Sequence, residues 1–249
     1  MKNTRARIVI VLAVLGLALS ASTAQAASFS GSLSYAPTAE APDGLFVDGD
    51  LEQWPDYAIT LNWTVTNELP TAPADFPWHY SYTLSLVGDE GGGISHLIIE
   101  TSPAFTAADI TGLVGAVLDS VGNQARGPGN PGMPGDLTGL KLFPPEGEYL
   151  TLSWSFFCTR APVWGDFFAK DGRKGGVTNI LYNYNQDALG NELGFVVGDV
   201  DPTDAPRDGS VDFHILRPDT FTVTVPEPAT IALLAIGGLA LIRRRKRAA

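Results

Sequence analysis

The chain has one cysteine, Cys158, among 249 residues, so no intramolecular disulfide can form. Its stability must come from a hydrophobic core or from bound ions. Histidine is scarce too: His79, His96 and His214 are the only three. There is no HExxH, no metal-type Cys/His spacing and no GxSxG, since GGISHL lacks the second glycine. The common zinc-hydrolase and serine-hydrolase signatures are therefore absent. Basic residues are rare between Ala27 and Val225, where 8 stand against 26 acidic ones for a net charge of −18. A surface this acidic repels nucleic acid and anionic lipid, and it attracts divalent cations. Long apolar runs are also missing. The longest, Ala229 to Ile242, has 14 residues. As a helix it would cover about 21 Å, short of the ~30 Å hydrocarbon core of a bilayer.

What the sequence does have is an address at each end. Lys2, Arg5 and Arg7 precede an apolar stretch from Ile8 to Leu19, and Ala24-Gln25-Ala26 offers a small-x-small cleavage site. This is the pattern of a secretory signal peptide, Met1 to Ala26, with the mature chain starting at Ala27. At the other end, Pro226-Glu227-Pro228 is followed by the short apolar run and then by Arg243, Arg244, Arg245, Lys246 and Arg247. The basic residues resist translocation and hold the end in the cytoplasm. The prolines keep an extended segment just outside the bilayer, where a processing enzyme could reach it. A plain membrane anchor would share the apolar run, but not the Pro-Glu-Pro triplet.

The stretch from Val225 to Arg247 resembles the PEP-CTERM sorting signal of exported bacterial proteins. The resemblance implies recognition by an exosortase after Sec export, with a transient inner-membrane stage. It implies a Gram-negative envelope, with release or attachment at the outer cell surface or in an exopolysaccharide-rich biofilm matrix. Four internal segments, GGISHLIIETS, NPGMPGDLTGLKL, VWGDFFAKDG and HILRPDT, are similar to a recurrent ectodomain of PEP-CTERM proteins. That similarity implies one domain and assigns no catalytic residue.

The body between the addresses, residues 27–225, reads as β-structure. Ile59, Leu61, Trp63 and Val65 alternate with Thr60, Asn62, Thr64 and Thr66. Tyr80, Tyr82, Leu84 and Leu86 alternate with Ser81, Thr83 and Ser85, and Leu150 to Cys158 alternates with Thr151, Ser153 and Ser155. Period two places one set inside and the other in water. Further strands are expected at Phe29–Tyr35, Ile94–Thr101, Leu140–Phe143, Val163–Ala169, Val177–Tyr184, Leu193–Val197, Val211–Leu216 and Phe221–Val225. Short strands between Gly, Pro and Asp turns predict an all-β, antiparallel, jelly-roll-like sandwich. One segment departs from the pattern. Ile110, Leu113, Val114, Val117, Leu118 and Val121 fall at helical spacing behind Thr106, a candidate N-cap, and predict one short helix. The Gly/Pro-rich stretch from Arg126 to Gly139 reads as a loop.

Candidate chemistry is sparse. Asp199, Asp201, Asp204, Asp208 and Asp212 form the densest acidic stretch and are candidate calcium ligands, although their spacing does not fit an EF-hand. Asp43, Asp48, Asp50 and Glu52 form a second, weaker set. No other cofactor is indicated. Trp78 and Trp164 lie beside Pro and Gly and are candidate glycan contacts, whereas Trp63 and Trp154 belong to the core. His96 and Glu100 share the parity of one strand and form a weak metal or acid–base pair. Cys158 falls on the core face as a buried thiol. No catalytic residue stands out. The expected function is a non-catalytic structural or interaction role at the cell surface, with exopolysaccharide as a candidate partner and nucleic acid excluded. An exported carbohydrate-active enzyme or a calcium-dependent glycan-binding module is the alternative.

Overall fold

Alternating side chains determine how the first sheet is built. The computed structural model describes residues 26–37, 44–49, 54–88, 92–145, 149–172, 178–198, 201–203 and 211–218. Its strands are β1 (Ser28–Tyr35), β2 (Leu45–Asp48), β3 (Ala58–Thr66), β4 (Trp78–Val87), β5 (Ile94–Glu100), β6 (Ile110–Val114), β7 (Val117–Gln124) and β8 (Leu137–Phe143). They continue with β9 (Thr151–Cys158), β10 (Pro162–Gly165), β11 (Phe167–Asp171), β12 (Ile180–Asn183), β13 (Asn185–Gln186), β14 (Val211–Asp212) and β15 (Ile215–Pro218). The named strand pairs are all antiparallel. The first sheet runs β1-β3-β4-β9-β6 and the second β2-β12-β11-β5-β8-β7, and β10-β15 and β13-β14 form two small pairs. These residues lie within one compact unit, Ala26–Thr222.

Register in the first sheet sorts side chains into rows of like chemistry. On the inner face Leu33, Leu61, Leu84 and Leu152 stand side by side, as do Phe29, Val65, Tyr80 and Phe156. The row between them is Gly31, Trp63, Tyr82 and Trp154. Tyr82 stacks on Trp154 at 5.1 Å and Tyr80 on Phe156 at 5.4 Å. Both tyrosine hydroxyls stay paired: Tyr82 donates to the Leu216 carbonyl at 2.8 Å and Tyr80 to that of Arg160 at 2.9 Å. The outer face repeats the order with polar side chains. Its rows are Ser30-Thr64-Ser81-Ser155, Ser32-Asn62-Thr83-Ser153 and Ser34-Thr60-Ser85-Thr151.

The central strands of the second sheet, β12, β11, β5 and β8, are buried on both sides. The sheet's inner face adds Leu45, Leu97, Ile99, Leu140, Leu142, Ala169 and Leu181 to the main core. On its outer face Ile98, Phe168, Ile180 and Tyr182 form a second apolar cluster with Met133 and Leu137, and Phe195 packs against it. The Gly/Pro-rich loop supplies Met133, so this loop is a cover for the sheet. Burial on both faces explains why HLII and DFFA lack strict alternation.

Three expectations are corrected. The helix expected over 110–121 is absent. Thr106 opens only a single 3-10 turn, Ala107–Asp109, where Asp109 Oδ2 accepts the Thr106 amide at 2.8 Å. Gly112 at φ +62° then breaks the register of β6 against β9 between Thr111 and Val114. Gly115, at φ +78°, turns the chain from the first sheet to the second, where a Cβ would strike the Ser153 carbonyl. Two resets of a period of two within a dozen residues imitate a period of 3.6. Leu193–Val197 is not a strand; its Phe195 packs on the second cluster instead. Val163–Ala169 divides at Asp166 into β10 and β11, which belong to different sheets. The expected strand at Phe221–Val225 and the short C-terminal helix lie outside the described residues.

Cys158 is fully buried on the inner face, as its parity requires. Burial pushes its thiol up to about 12, so it stays protonated and unreactive at neutral pH. Gly31 faces the indole of Trp63 so closely that a Cβ would overlap the ring. Gly31→Ala should therefore cost about 1–3 kcal/mol through overpacking. Val114→Ala, at a position 66% exposed, should stay within about 0.5 kcal/mol. Urea denaturation of both variants checks this.

Candidate functional site

Burying the centre of the second sheet on both faces leaves its polar residues few ways to reach water. They solve this by pairing. Glu100 ends β5, and its Oε2 accepts the Asp166 backbone amide at 2.8 Å. Arg217 of β15 faces the same carboxylate, Nε to Oε2 at 3.3 Å and Nη2 to Oε1 at 3.3 Å. Burial raises the Glu100 carboxyl above its ordinary range; Arg217 opposes that shift and the Asp166 charge adds to it. Asp166, only 2% exposed, accepts from Asn183 Nδ2 at 2.6 Å and faces His214 Nδ1 at 3.3 Å. Asn183 is the hub. Its Nδ2 also donates to the Phe213 carbonyl at 2.7 Å, and its Oδ1 accepts the Phe167 amide at 2.9 Å. The network joins β5, β11, β12 and β15 where the β10-β15 pair meets the larger sheet.

Beside it opens a groove of about 470 Å³. Glu100, Asp136, Thr101, Trp164, Phe195 and Arg217 are among its walls. The arrangement can hold a polar ligand against an aromatic wall. Glu100 and Asp166 are each already bound by protein partners.

The second polar cluster lies under the Gly/Pro-rich loop. His96 Nε2 donates to Asn130 Oδ1 at 3.0 Å, and Lys141 Nζ donates to the same oxygen at 3.1 Å. Asn130 uses its own amide on the Ala125 carbonyl at 2.9 Å, which fixes the direction of both bonds. His96 and Glu100 do share a face, as their parity predicts, but they bond to different partners and form no pair. Burial first, then the charges of Lys141 and Lys170, lower the His96 pKa to about 3.

The remaining candidates scatter. Trp164 is no loop aromatic: it sits in β10, 6% exposed, edge-on to Trp63 at 6.2 Å. It still borders the groove. Trp78 opens β4, half-buried against the main core opposite Cys158, and is not among the groove residues. Trp54 is fully buried and ties its turn to the Gly92 carbonyl at 2.8 Å. Of the candidate calcium ligands, Asp199, Asp204 and Asp208 lie outside the described residues, and for Asp212 the backbone alone is described, in β14. Asp201 acts as a turn former, its Oδ1 accepting the Thr203 amide at 2.8 Å and hydroxyl at 2.6 Å. These bonds lower its pKa, the hydroxyl contributing most. Asp43, Asp50 and Glu52 are outside the described residues, and Asp48 closes β2. Among the described residues no three His, Cys, Asp or Glu side chains gather as a metal-binding set.

Sequence reasoning missed the hub. Its signal was the run NILYNYN, where Asn179, Asn183 and Asn185 punctuate an apolar strand and all three are fully buried.

At the ends, Ala24, the sorting triplet Pro226-Glu227-Pro228 and the basic residues Arg243 to Arg247 lie outside the described residues. Ala26 is exposed. Ala27 leads into β1, its amide donating to Asn67 Oδ1 at 2.7 Å and its carbonyl accepting from Thr66 Oγ1 at 3.0 Å.

The fold thus defines an all-β, antiparallel sandwich carried between two terminal segments. The C-terminal one is assigned by comparison: residues 224–247 match the PEP-CTERM protein-sorting motif. The chain accordingly carries the PEP-CTERM motif, the address of exosortase-type export. No curated protein and no solved structure matches the chain.

Two outcomes follow from this geometry. Unfolded, the His96 imidazole titrates near 6.5; folded, at about 3. Between those values the unfolded chain holds one more proton. The His96 contribution is therefore full above pH 6.5 and falls by about 1.4 kcal/mol per pH unit as the pH drops toward 3. His96→Gln should remove that share of the slope, read as the difference between wild-type and variant urea midpoints across the window. Asn183→Ala should cost roughly 3 kcal/mol or more, because it leaves Asp166, the Phe167 amide and the Phe213 carbonyl short of buried partners; equilibrium unfolding measures the loss.

Proposed function

We propose that the exported chain is a non-catalytic structural or interaction component of the outer cell surface or exopolysaccharide matrix of a Gram-negative bacterium. It reaches that place through Sec export, a transient inner-membrane stage and exosortase processing. The observation that carries the reading is the sorting motif at residues 224–247. It is supported by a domain whose groove-side carboxylates are bound by Arg217, Asn183 and His214. The raised carboxyl of Glu100 beside the groove favours, as a second reading, an exported carbohydrate-active enzyme.

One experiment separates the two. The mature chain is co-sedimented with the producer's own exopolysaccharide, with calcium or with EDTA, and the supernatant is assayed for freed sugar. Retention without sugar release supports the matrix role, and loss in EDTA would add a calcium-dependent contact. Sugar release favours the enzyme. The sorting step has its own test. Replacing Pro226, Glu227 and Pro228 by alanine should leave a precursor that retains its C-terminal segment in the inner-membrane fraction, as mass spectrometry of fractionated cells would record. Normal processing of that variant would remove the triplet as the signal.

A further inference from the structure

The outer face of the first sheet differs from the rest of the domain. Its three central rows fill their crossings of β1, β3, β4 and β9 with Ser, Thr or Asn, bordered by the exposed Val114 of β6 beside Ser155 and by Val87 of β4 beyond Ser85. All positions of the three rows are exposed or half-buried, and none carries a charge or a large apolar side chain. This is improbable on a chain whose exported part has 26 acidic and 8 basic residues unless the charges are kept elsewhere. At ~4.8 Å between strands and ~6.8 Å between alternate residues, the array spans about 14 by 14 Å. Within it, among the described residues, one side-chain hydrogen bond is made, between Thr83 and Ser153 at 2.9 Å. The other hydroxyls keep both donor and acceptor capacity for a partner. The next row ends in a half-buried ring pair, His79 against Phe157 at 4.8 Å. Burial lowers the His79 pKa, so this row is neutral as well at neutral pH.

The chemistry of the face selects its occupant. An anionic polymer would find no cation on it and acidic charge around it. A protein partner would want an apolar centre to bury, and the centre of the rows offers none, the exposed Val87 and Val114 lying at opposite borders of the face. A polymer that is itself uncharged and covered with hydroxyls matches both the neutrality and the repeat. We propose that this face binds a neutral, extended polysaccharide laid across the strands, with hydroxyls exchanging hydrogen bonds along the rows and a sugar ring resting on Phe157. The proposal rests on the matrix reading for where the polymer is met, and on the face alone for its chemistry. It does not use the groove.

The test is co-sedimentation of the mature chain with microcrystalline cellulose, with alginate as the anionic comparison. It is run at low and at high salt, and with EDTA. The expected result is retention on cellulose, none on alginate, and no effect of salt or EDTA, because no ion pair is involved. Thr64→Val and Thr83→Val keep the β-branched shape and remove a hydroxyl; together they should weaken retention on the order of tenfold. Asn62→Asp, which adds charge, should weaken it further, while Asp136→Asn in the groove should not. Circular dichroism verifies that each variant is folded. Absence of wild-type retention on cellulose overturns the proposal, as does retention lost in Asp136→Asn but kept in the face variants. So does a dimer that the face variants convert to monomer in sedimentation velocity. Binding to the producer's matrix without binding to cellulose overturns the face proposal and leaves the matrix role standing. Retention on cellulose by a chain that is never exported does the reverse.

Discussion

The register of β1, β3, β4 and β9 is the constraint on which the rest of the molecule depends. The inner rows are leucine-rich or aromatic-rich, and the three central outer rows are Ser, Thr and one Asn. A slip of one residue would carry Trp63, Tyr82 and Trp154 into water and bring Thr and Ser into the core, so the cost of a wrong register is borne by every strand at once. Gly31 belongs to the same constraint. The aromatic row is too wide for four large side chains, and the place opposite Trp63 is left to a residue without one. Because this sheet stores most of its apolar groups on one face, the centre of the other is free to be polar.

The second sheet obeys the opposite logic. Covered on both faces at its centre, it has to provide internally for its charged and amide groups. Asn183 does so by satisfying a carboxylate, an amide and a carbonyl together. Networks of this kind add little net stability when complete and cost much when broken. Their main effect is specificity: β15 is held against β11 and β12 by bonds that no shifted arrangement could repeat. Arg217 and Glu100 reinforce the same junction from the groove side.

Different parts of this organisation were legible in the sequence to different degrees. The first sheet was plain, because one wet face and one dry face give a clean period of two. The sorting triplet was plain because motif, short apolar run and basic end occur together. The second sheet was harder: with both faces buried, its central strands lose their alternation, and β2 passed unnoticed. Residues 110–121 misled because glycines at 112 and 115 reset the parity. Trp164, flanked by Pro162 and Gly165, has the sequence of a loop and the burial of a core residue. The polar network could not be read at all, since Arg217 and Glu100 are 117 residues apart. Only buried asparagines in an apolar run hinted at it.

The bond between Ala27 and Asn67 has a consequence for maturation. In the uncleaved chain the nitrogen of Ala27 is an ordinary peptide amide with one hydrogen to give. Cleavage after Ala26 would turn that atom into an ammonium group, with three donors and a positive charge, already 2.7 Å from a side-chain oxygen. Bonds of this charged kind are roughly twice as strong as neutral ones. Peptidase action would then do more than remove a leader. It would fasten the edge strand of the hydroxyl-bearing sheet at the step that frees its N-terminus.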